Sequence, residues 1–239
     1  NLKIINRLPL IEREMISVCF TTSDQITMTE RSDSIIKNAE IYLNKCYYSQ
    51  NNVVHLVDEV NPKFMIGRGF KNALYQDYSS EADIRPYWDR ARGHQLISLY
   101  SAYLQTSNEK YLDRLDDELN SITNYDDYFC NYLWTDALNL AIRSLNLLSL
   151  LEIQNTNSSN FDQRSMLGYL MCCECIIQTR SPSSSIENNH HLIETLTLIV
   201  YFQLTNQKKQ LTREFRNLKR LRKTLFYDNG LLYEGSLPY

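Results

Sequence analysis

The scarcity of helix-breaking residues constrains the fold of this chain most strongly. Six glycines and five prolines occur among 239 residues, and long stretches repeat apolar residues at intervals of three and four, the period of an amphipathic helix. The pattern predicts an all-α protein of antiparallel helical hairpins with short links. A bundle, a helical solenoid and an α/α toroid all fit it. The predicted helices cover roughly 34–47, 83–106, 109–122, 133–153, 161–177, 188–200 and 208–226.

Two regions follow from this pattern. Residues 1–80 hold one predicted helix and most of an irregular stretch over 49–82, which is interrupted by several Asn, Pro and Gly residues. Near the start, residues 15–20 fit either a short strand or a helix end. We expect this N-terminal segment to pack on the helical region over 81–239. A long irregular stretch in a compact domain is often functional.

The charge and hydropathy patterns exclude some classes of partner. The net charge is −3, so bulk charge does not indicate binding to nucleic acid or to an anionic membrane. The last predicted helix is rich in Lys and Arg, and its spacing favours a solvated face over a nucleic-acid surface. No apolar run approaches the ~20 residues that a membrane span needs. We therefore expect no nucleic-acid partner and no membrane span.

The six cysteines indicate buried thiols rather than a metal site. Cys172, Cys173 and Cys175 lie in an apolar helical pattern, and their C-C-x-C spacing differs from the C-x-x-C pairs of zinc sites. Free cysteine packs as a small hydrophobic residue, so we expect reduced, buried thiols and no bound metal or cofactor. Unpaired thiols favour a reducing compartment such as the cytoplasm.

Two groups of arginines fit either structural or ligand-binding roles. Arg85, Asp89 and Arg92 recur at intervals of three and four, so one helix face would carry alternating charges. They fit intrahelical ion pairs, or a cationic lining whose guanidinium groups bind ligand oxyanions. Arg143 lies inside an apolar run and must pair in the core or face a cavity. Trp134 fits a core position or a platform on which a sugar stacks.

A third group stands at the predicted helix start over 188–194, Asn-Asn-His-His-Leu-Ile-Glu. The first turn of a helix carries unsatisfied N–H groups and the positive end of the helix dipole, so it suits an anion. Capping by Asn188 or Asn189 explains the same residues without a ligand. His190 and His191 would point about 100° apart, which does not fit the i,i+4 geometry of a helical zinc site.

A fourth group closes the sequence. Tyr239 ends a Glu-Gly-Ser-Leu-Pro-Tyr stretch, and a tyrosine, with an ordinary pKa near ~10, acts as an acid or base where its environment is tuned. A toroidal glycoside hydrolase would instead need two carboxylates across a cleft. Glu194 and Glu234 are the candidates for that pair, although Glu234 fits better as a brace for the turn before Tyr239.

Taken in order, these segments resemble the helical domain of the heparinase II/III-like polysaccharide lyases. Residues 83–96 look like the family's D-x-R-x-x-W-E-x-x-R segment, and residues 102–111 match its A-Y-x-x-T-x-x-x-x-Y continuation. Residues 134–143 look like its tryptophan followed by an A-I-R helix. Residues 188–194 are similar to its Asn-His helix start, and residues 234–239 to its E-x-S-x-x-Y motif. The resemblance covers about 80–239, and each motif alone is weak.

The resemblance implies an incomplete α/α toroid followed by a β-sandwich-like domain that packs on it. The chain stops at Tyr239, so we expect it to be a helical-domain portion of a longer protein. The implied activity is β-elimination in an acidic, uronate-containing polysaccharide, for example a bacterium's own surface glycan, without a cofactor. The implied location is periplasmic or secreted. A rival hypothesis keeps the toroid as a non-catalytic protein of glycan binding or surface-polysaccharide assembly.

The resemblance also implies roles for individual residues. Asn189 and His190 would neutralise the uronate carboxylate, and Tyr239 would protonate the leaving glycosidic oxygen. The chain departs from the family at Asp89, where the family has Glu, and at the extra His191, which leaves open whether His190 or His191 faces the cleft. The remaining implied positions are substrate-binding Arg85, Arg92, Trp134, Arg143 and His191, and supporting Asn188, Glu194 (which would orient His190) and Glu234.

Overall fold

The computed structural model describes residues 32–44, 46–48, 54–56, 85–123, 134, 136–157, 163–179 and 189–227. Within these ranges the chain is predominantly helical, which confirms the predicted all-α class. The helices are α1 Ser32–Leu43, α2 Arg85–Arg92, α3 His94–Thr106, α4 Lys110–Thr123, α5 Ala137–Asn157, α6 Gln163–Thr179, α7 Asn189–Leu204 and α8 Lys208–Leu225. Two short strands, β1 Cys46–Tyr48 and β2 Val54–Leu56, pair antiparallel with Cys46 opposite Leu56.

The single helix predicted over 83–106 is in fact two helices, α2 and α3. Gly93 separates them with a φ of 76°, in the left-handed region that glycine adopts without steric cost. Its N–H donates to the Arg90 carbonyl at 3.0 Å, and its own carbonyl accepts from the Leu96 N–H at 3.1 Å. A Cβ here would lie 3.2 Å from both Arg143 Cγ and Leu96 Cδ1. The backbone conformation therefore favours glycine, and a side chain here would also crowd Arg143 and Leu96.

The N-terminal predictions need two further corrections. Helix α1 ends at Leu43 rather than near residue 47, because Cys46–Tyr48 form strand β1. Strand β2 lies inside the stretch over 49–82 that the sequence pattern marks as irregular. Residues 15–20, the rest of that stretch and the predicted boundary at 80–81 lie outside the described residues. The other predicted helices are confirmed, with ends within four residues of the expected positions.

The helices enclose one apolar core. Leu96, Leu99, Leu115, Leu119 and Leu147 are at most 1% exposed, and burying each such side chain contributes ~1.5–3 kcal/mol. Helix α1 joins this core through its buried Ala39 and Tyr42, and partly buried Ile35 packs against it. None of the described helices is both long and apolar enough to cross a membrane.

Helix α6 runs antiparallel to α5. Arg143 on α5 donates through Nε to Cys172 Sγ on α6 at 3.3 Å. Four residues later on α5, the Leu147 side chain lies 3.4 Å from where a Cβ on Gly168 would stand. Advancing along α5 therefore means moving backward along α6, as expected for helices joined by a short link.

Helix α7 begins at the same end of the bundle as α5. The Thr197 hydroxyl on α7 donates to the Ala141 carbonyl on α5 at 3.5 Å. One turn later on α7, the Tyr201 ring lies 6.4 Å from the Tyr169 ring on α6. Tyr169 follows Gly168, which packs beside Leu147 on α5. Moving forward along α7 therefore also means moving forward along α5, so the two helices start at the same end of the bundle.

Helix α8 folds back on α7 as a helical hairpin. A short turn over 205–207 joins the two helices, and Asn206 in this turn has a φ of 53°. The Gln207 N–H donates to the Phe202 carbonyl at 2.9 Å, which closes the end of α7. Because α7 and α8 contact each other and their link is short, they run antiparallel. The end of α8 therefore returns toward the start of α7.

Candidate functional site

The α2–α3 junction and the first half of α5 form a polar cluster. Arg92 Nε donates to Asn139 Oδ1 at 2.9 Å. The Asn146 amide donates to the Arg92 carbonyl at 2.8 Å and lies 3.2 Å from His94 Nδ1. Asn139, Arg143 and Asn146 are four and three residues apart, so they share one face of α5. This face holds the junction in place through side chains that are distant in sequence.

The start of α5 is fixed by a side-chain cap. Asp136 Oδ2 accepts a hydrogen bond from the Asn139 backbone N–H at 2.9 Å, which satisfies one of the donors exposed at a helix start. The cap explains why α5 begins at Ala137 rather than near residue 133. Neither Asp136 nor Asn139 was predicted as a site residue, although an Asp three residues before the capped N–H is a recognisable helix-start signal.

Arg143 and Trp134 form a buried pair beneath this cluster. Both side chains are completely buried, and the guanidinium carbon of Arg143 lies 4.6 Å from the Trp134 ring centroid. A desolvated cation–π contact of this kind contributes about 2 kcal/mol. The sequence left open a core role and a ligand-facing role for each residue. Because both side chains are enclosed, neither could contact a ligand unless the core opened. They instead pack beneath the α2–α3 junction and stabilise its position.

The arginines of α2 have different environments. Arg92 is half-buried and keeps part of its side chain at the surface next to Asn139. Arg85 is the first residue of α2, and its side chain is outside what the structure describes. Arg90, which was not among the predicted site residues, is buried. Of the predicted α2 cations, Arg92 is therefore the one with a described position suitable for a surface site.

Arg90 belongs to a buried charge network around Glu118. The Glu118 carboxylate accepts from Arg90 Nε at 3.3 Å, from Gln95 Nε2 at 3.0 Å and from Arg114 Nη2. Gln95 also donates to the Arg90 carbonyl at 3.1 Å. All four side chains are buried, where a charge is tolerated only if it is paired and hydrogen-bonded. The network joins α2, α3 and α4, and its role is structural.

The predicted Asn-His helix start is confirmed as the first turn of α7. Asn189 is the first helical residue and is half-buried, His190 is exposed, and His191 is half-buried. Glu194 is 6% exposed and lies four residues after His190, so the two residues are neighbours on successive turns. The N–H groups of this first turn have no partner within the helix itself, and they point toward the end of the bundle.

The described predicted residues fall into two sets. Arg92, Trp134 and Arg143 lie against or just before the first half of α5, whereas Asn189, His190 and His191 form the start of α7. Since α5 and α7 start at the same end of the bundle, both sets belong to the same half of the molecule. Hydrogen bonding connects this end to the α2–α3 junction through Asn139. Asn188, Glu234 and Tyr239 lie outside the described residues.

The three cysteines of α6 are buried in the apolar core. Cys172, Cys173 and Cys175 are free thiols inside the core. Burial raises the pKa of the Cys173 and Cys175 thiols above their usual value, and a protonated, enclosed thiol is unreactive. Among the residues that the structure describes, no group of three or more His, Cys, Asp or Glu side chains is placed to hold a metal ion.

Comparisons of the chain with protein-family models, with curated proteins and with solved structures find no match. The resemblance to the heparinase II/III-like lyases therefore depends on the order of its five sequence segments. It stays a prediction, and so do the roles that it implies for individual residues.

Proposed function

We propose that this chain is the toroid-forming helical portion of a polysaccharide lyase that cleaves an acidic, uronate-containing glycan by β-elimination. The observation that supports this most is the first turn of α7. An amide, two imidazoles and the N–H groups of a helix start lie in that one turn, and α7 starts at the same end of the bundle as α5, whose Asn139 holds Arg92. The β-domain implied by the sequence resemblance would complete the cleft beside this turn.

The proposed reaction needs a site that stabilises an anion. A base removes the C5 proton next to the uronate carboxylate, and that electron pair forms the double bond between C4 and C5. The bond from C4 to the glycosidic oxygen breaks, and an acid protonates that oxygen. Negative charge accumulates on the carboxylate group as the C5 proton leaves, so fixed donors directed at it lower the barrier. The Asn189 amide, His190 and the helix N–H groups are the proposed donors.

Other residues would position these donors. Buried Glu194 lies one turn after His190 and would orient its imidazole, as second carboxylates commonly do for functional histidines. Arg92, held by Asn139, would add positive charge at the edge of the cleft. Trp134 and Arg143 would keep the α2–α3 junction in place from beneath. Tyr239 would be the acid, and in some substrates also the base.

The test follows ultraviolet absorbance of the unsaturated uronate product with a panel of uronic glycans. We expect product formation by the full protein, and a loss of about 10²–10³-fold in kcat for His190→Gln, the size seen when one oxyanion donor is removed. Tyr239→Phe should abolish turnover. His191→Gln, compared with His190→Gln, decides which imidazole faces the substrate. The exposed Gln203 in the last turn of α7 provides the control Gln203→Ala, with an unchanged rate.

Two outcomes would redirect the proposal. A folded protein that makes no unsaturated product from any glycan of the panel would contradict the lyase. Tight glycan binding without product, unchanged in Tyr239→Phe, would select the non-catalytic glycan-binding function instead.

A further inference from the structure

Helix α8 carries a dense, exposed positive charge. Its one acidic residue, Glu214, is 1% exposed. The helix has a net charge of +7, from eight basic residues and one acidic residue, whereas the whole chain has −3. The rest of the chain therefore carries −10, which is −3 minus +7. The basic residues of α8 are all exposed and are Lys208, Lys209, Arg213, Arg216, Lys219, Arg220, Arg222 and Lys223.

Most of these cations lie on one side of the helix. We define the basic stripe as Lys209, Arg213, Arg216, Lys219, Arg220 and Lys223. At 100° per residue, these six residues fall within about 120° of the helix circumference. From its first to its last residue the stripe is about 21 Å long, at 1.5 Å per residue. Lys208 and Arg222 lie outside it, on the edge next to exposed Phe215.

The opposite face of α8 fixes the direction of the stripe. Leu221 and Leu225 are buried. The Glu214 carboxylate accepts hydrogen bonds from Arg213 Nε at 3.1 Å and from Asn217 Nδ2 at 2.9 Å. The buried face allows one orientation of the helix, so the stripe points outward. Like charges three and four residues apart oppose helix formation by a few tenths of a kcal/mol per pair, and a bound polyanion would relieve that repulsion.

We infer that the basic stripe binds a linear, carboxylate-bearing polyanion, namely a stretch of the acidic glycan away from the bond that is cleaved. The assignment of the ligand as a glycan rests on the proposed function. Guanidinium groups bind carboxylates through paired N–H donors, and the stripe repeats such groups over several sugar units. Since α8 runs antiparallel to α7, the stripe leads toward the end where Asn189 and His190 begin α7.

The charge distribution favours a single extended chain over a nucleic-acid duplex. A duplex is wide, and it would extend past α8 to within the ~8 Å Debye length of neighbouring elements. Outside α8, the residues that the structure describes include eight basic and twelve acidic ones, a net charge of −4. A single chain lying along α8 avoids that repulsion. Single-stranded nucleic acids also require several aromatic platforms for their bases, and Phe215 is the one aromatic residue within α8.

The experiment measures binding of oligogalacturonides of graded length to the full chain by titration calorimetry at several salt concentrations. We expect affinity to increase with length until the oligosaccharide spans about 21 Å. Arg216→Gln with Lys223→Gln removes two charges from the stripe and should weaken binding about tenfold. The matched control, Lys208→Gln with Arg222→Gln, also removes one arginine and one lysine, and should weaken binding less than about threefold.

Several results would overturn the inference. Equal losses in the two double variants would mean diffuse attraction rather than an oriented stripe. Tighter binding of single- or double-stranded DNA of the same charge would assign the surface to nucleic acid. Binding to anionic phosphatidylserine vesicles but not to oligogalacturonides would assign it to membranes. Circular dichroism and thermal unfolding of each variant check that the protein stays folded.

The same variants separate this inference from the lyase proposal. Glycan binding that is weakened by the stripe variant, without any unsaturated product, supports the stripe and contradicts the lyase. Product formation with an unchanged KM in the stripe variant supports the lyase and contradicts the stripe. If both hold, the stripe variant should raise KM for long oligosaccharides about tenfold and leave kcat unchanged.

Discussion

The cations of this protein occupy two contrasting environments. In the α2–α5 region, Arg90, Arg114 and Arg143 are buried, and each has a defined partner in a carboxylate, an aromatic ring or a thiol. Along α8, every basic residue is exposed. A buried charge must be paired, and the pair then fixes the structure. An exposed charge contributes little to stability and is accessible to a ligand.

This contrast decides between alternatives that the sequence left open. From spacing, Arg143 fitted either a pair in the core or a cavity, the resemblance implied a substrate-binding role for it, and the basic residues of the last helix fitted a solvated face. The structure encloses Arg143 completely and exposes the α8 cations. Experiment can distinguish the two regions. Removing a charge from the α2–α5 region should lower the free energy of unfolding strongly, whereas removing one from α8 should hardly change it.

The largest expected effect is at Glu118. Glu118→Gln should lower the free energy of unfolding by ~3–5 kcal/mol, since the buried guanidinium groups of Arg90 and Arg114 would lose the charge of their shared carboxylate. Urea unfolding followed by circular dichroism measures this change. Asp117→Asn, at the exposed position before it, is the control and should change stability by less than about 0.5 kcal/mol. If the two substitutions lowered the free energy of unfolding equally, the distinction between buried, paired charges and exposed charges would be contradicted.

Gly93→Ala should have the next largest effect. The left-handed φ of 76° costs an alanine about 1 kcal/mol or more, and the new Cβ would crowd Arg143 Cγ at 3.2 Å. We expect a loss of ~1–3 kcal/mol together with a change in the near-ultraviolet dichroism of Trp134. Gly168→Ala is the matched comparison, because its new Cβ would lie 3.3 Å from Ile122 Cγ2 without a positive φ. At this position within α6, the higher helix propensity of alanine stabilises the helix by ~1 kcal/mol and offsets the crowding.

A smaller, pH-dependent effect is expected at His94. Although His94 is exposed as a residue, the atoms packed around its ring exclude water from part of it, and this desolvation, together with the nearby Arg92 charge, lowers the pKa of His94. The Asn146 amide can donate to Nδ1 only while the ring is neutral. The unfolded chain therefore binds more protons near the ordinary histidine pKa of ~6.5, and stability should fall as the pH decreases below that value. His94→Gln should flatten this part of the pH–stability curve, and an unchanged curve would argue against the effect.

The smallest effect on stability is expected on α8. Arg216→Gln with Lys223→Gln should change the free energy of unfolding by less than about 0.5 kcal/mol, or raise it slightly through reduced repulsion. The same urea titration as for Glu118→Gln measures it. A loss above ~1 kcal/mol would show that these exposed cations have a structural role, and it would weaken the comparison between the two regions.

Much of the fold was predictable because its signals are local. The helical period and the scarcity of glycine and proline gave the helices from α4 to α8 with ends within four residues. Gly93 was visible in the sequence, but one glycine is tolerated inside a helical pattern. Its closeness to Arg143, 50 residues away, could not be predicted. Strands β1 and β2 escaped prediction because three-residue segments are too short to show a strand period.

The candidate site was predictable in part. The helix start at Asn189 was expected from an Asn-His pair that follows a polar loop. The connection of Arg92 to Asn139 and Asn146 was not, because asparagines inside an apolar helix carry no signal of their partners. Glu118 also escaped notice, since its i,i+4 spacing from Arg114 is equally common on solvated helices.

The sequence by itself determined the helical class, most helix bounds and the polar start of α7, because residue spacing and breaker positions act over a few residues. Tertiary structure alone decided which cations are enclosed. Arg143 and Arg213 each lie within a helix, yet the first stacks on Trp134 in the core and the second stands at the surface. Burial depends on which helix face meets a neighbour, and that is set by contacts between residues far apart in the chain.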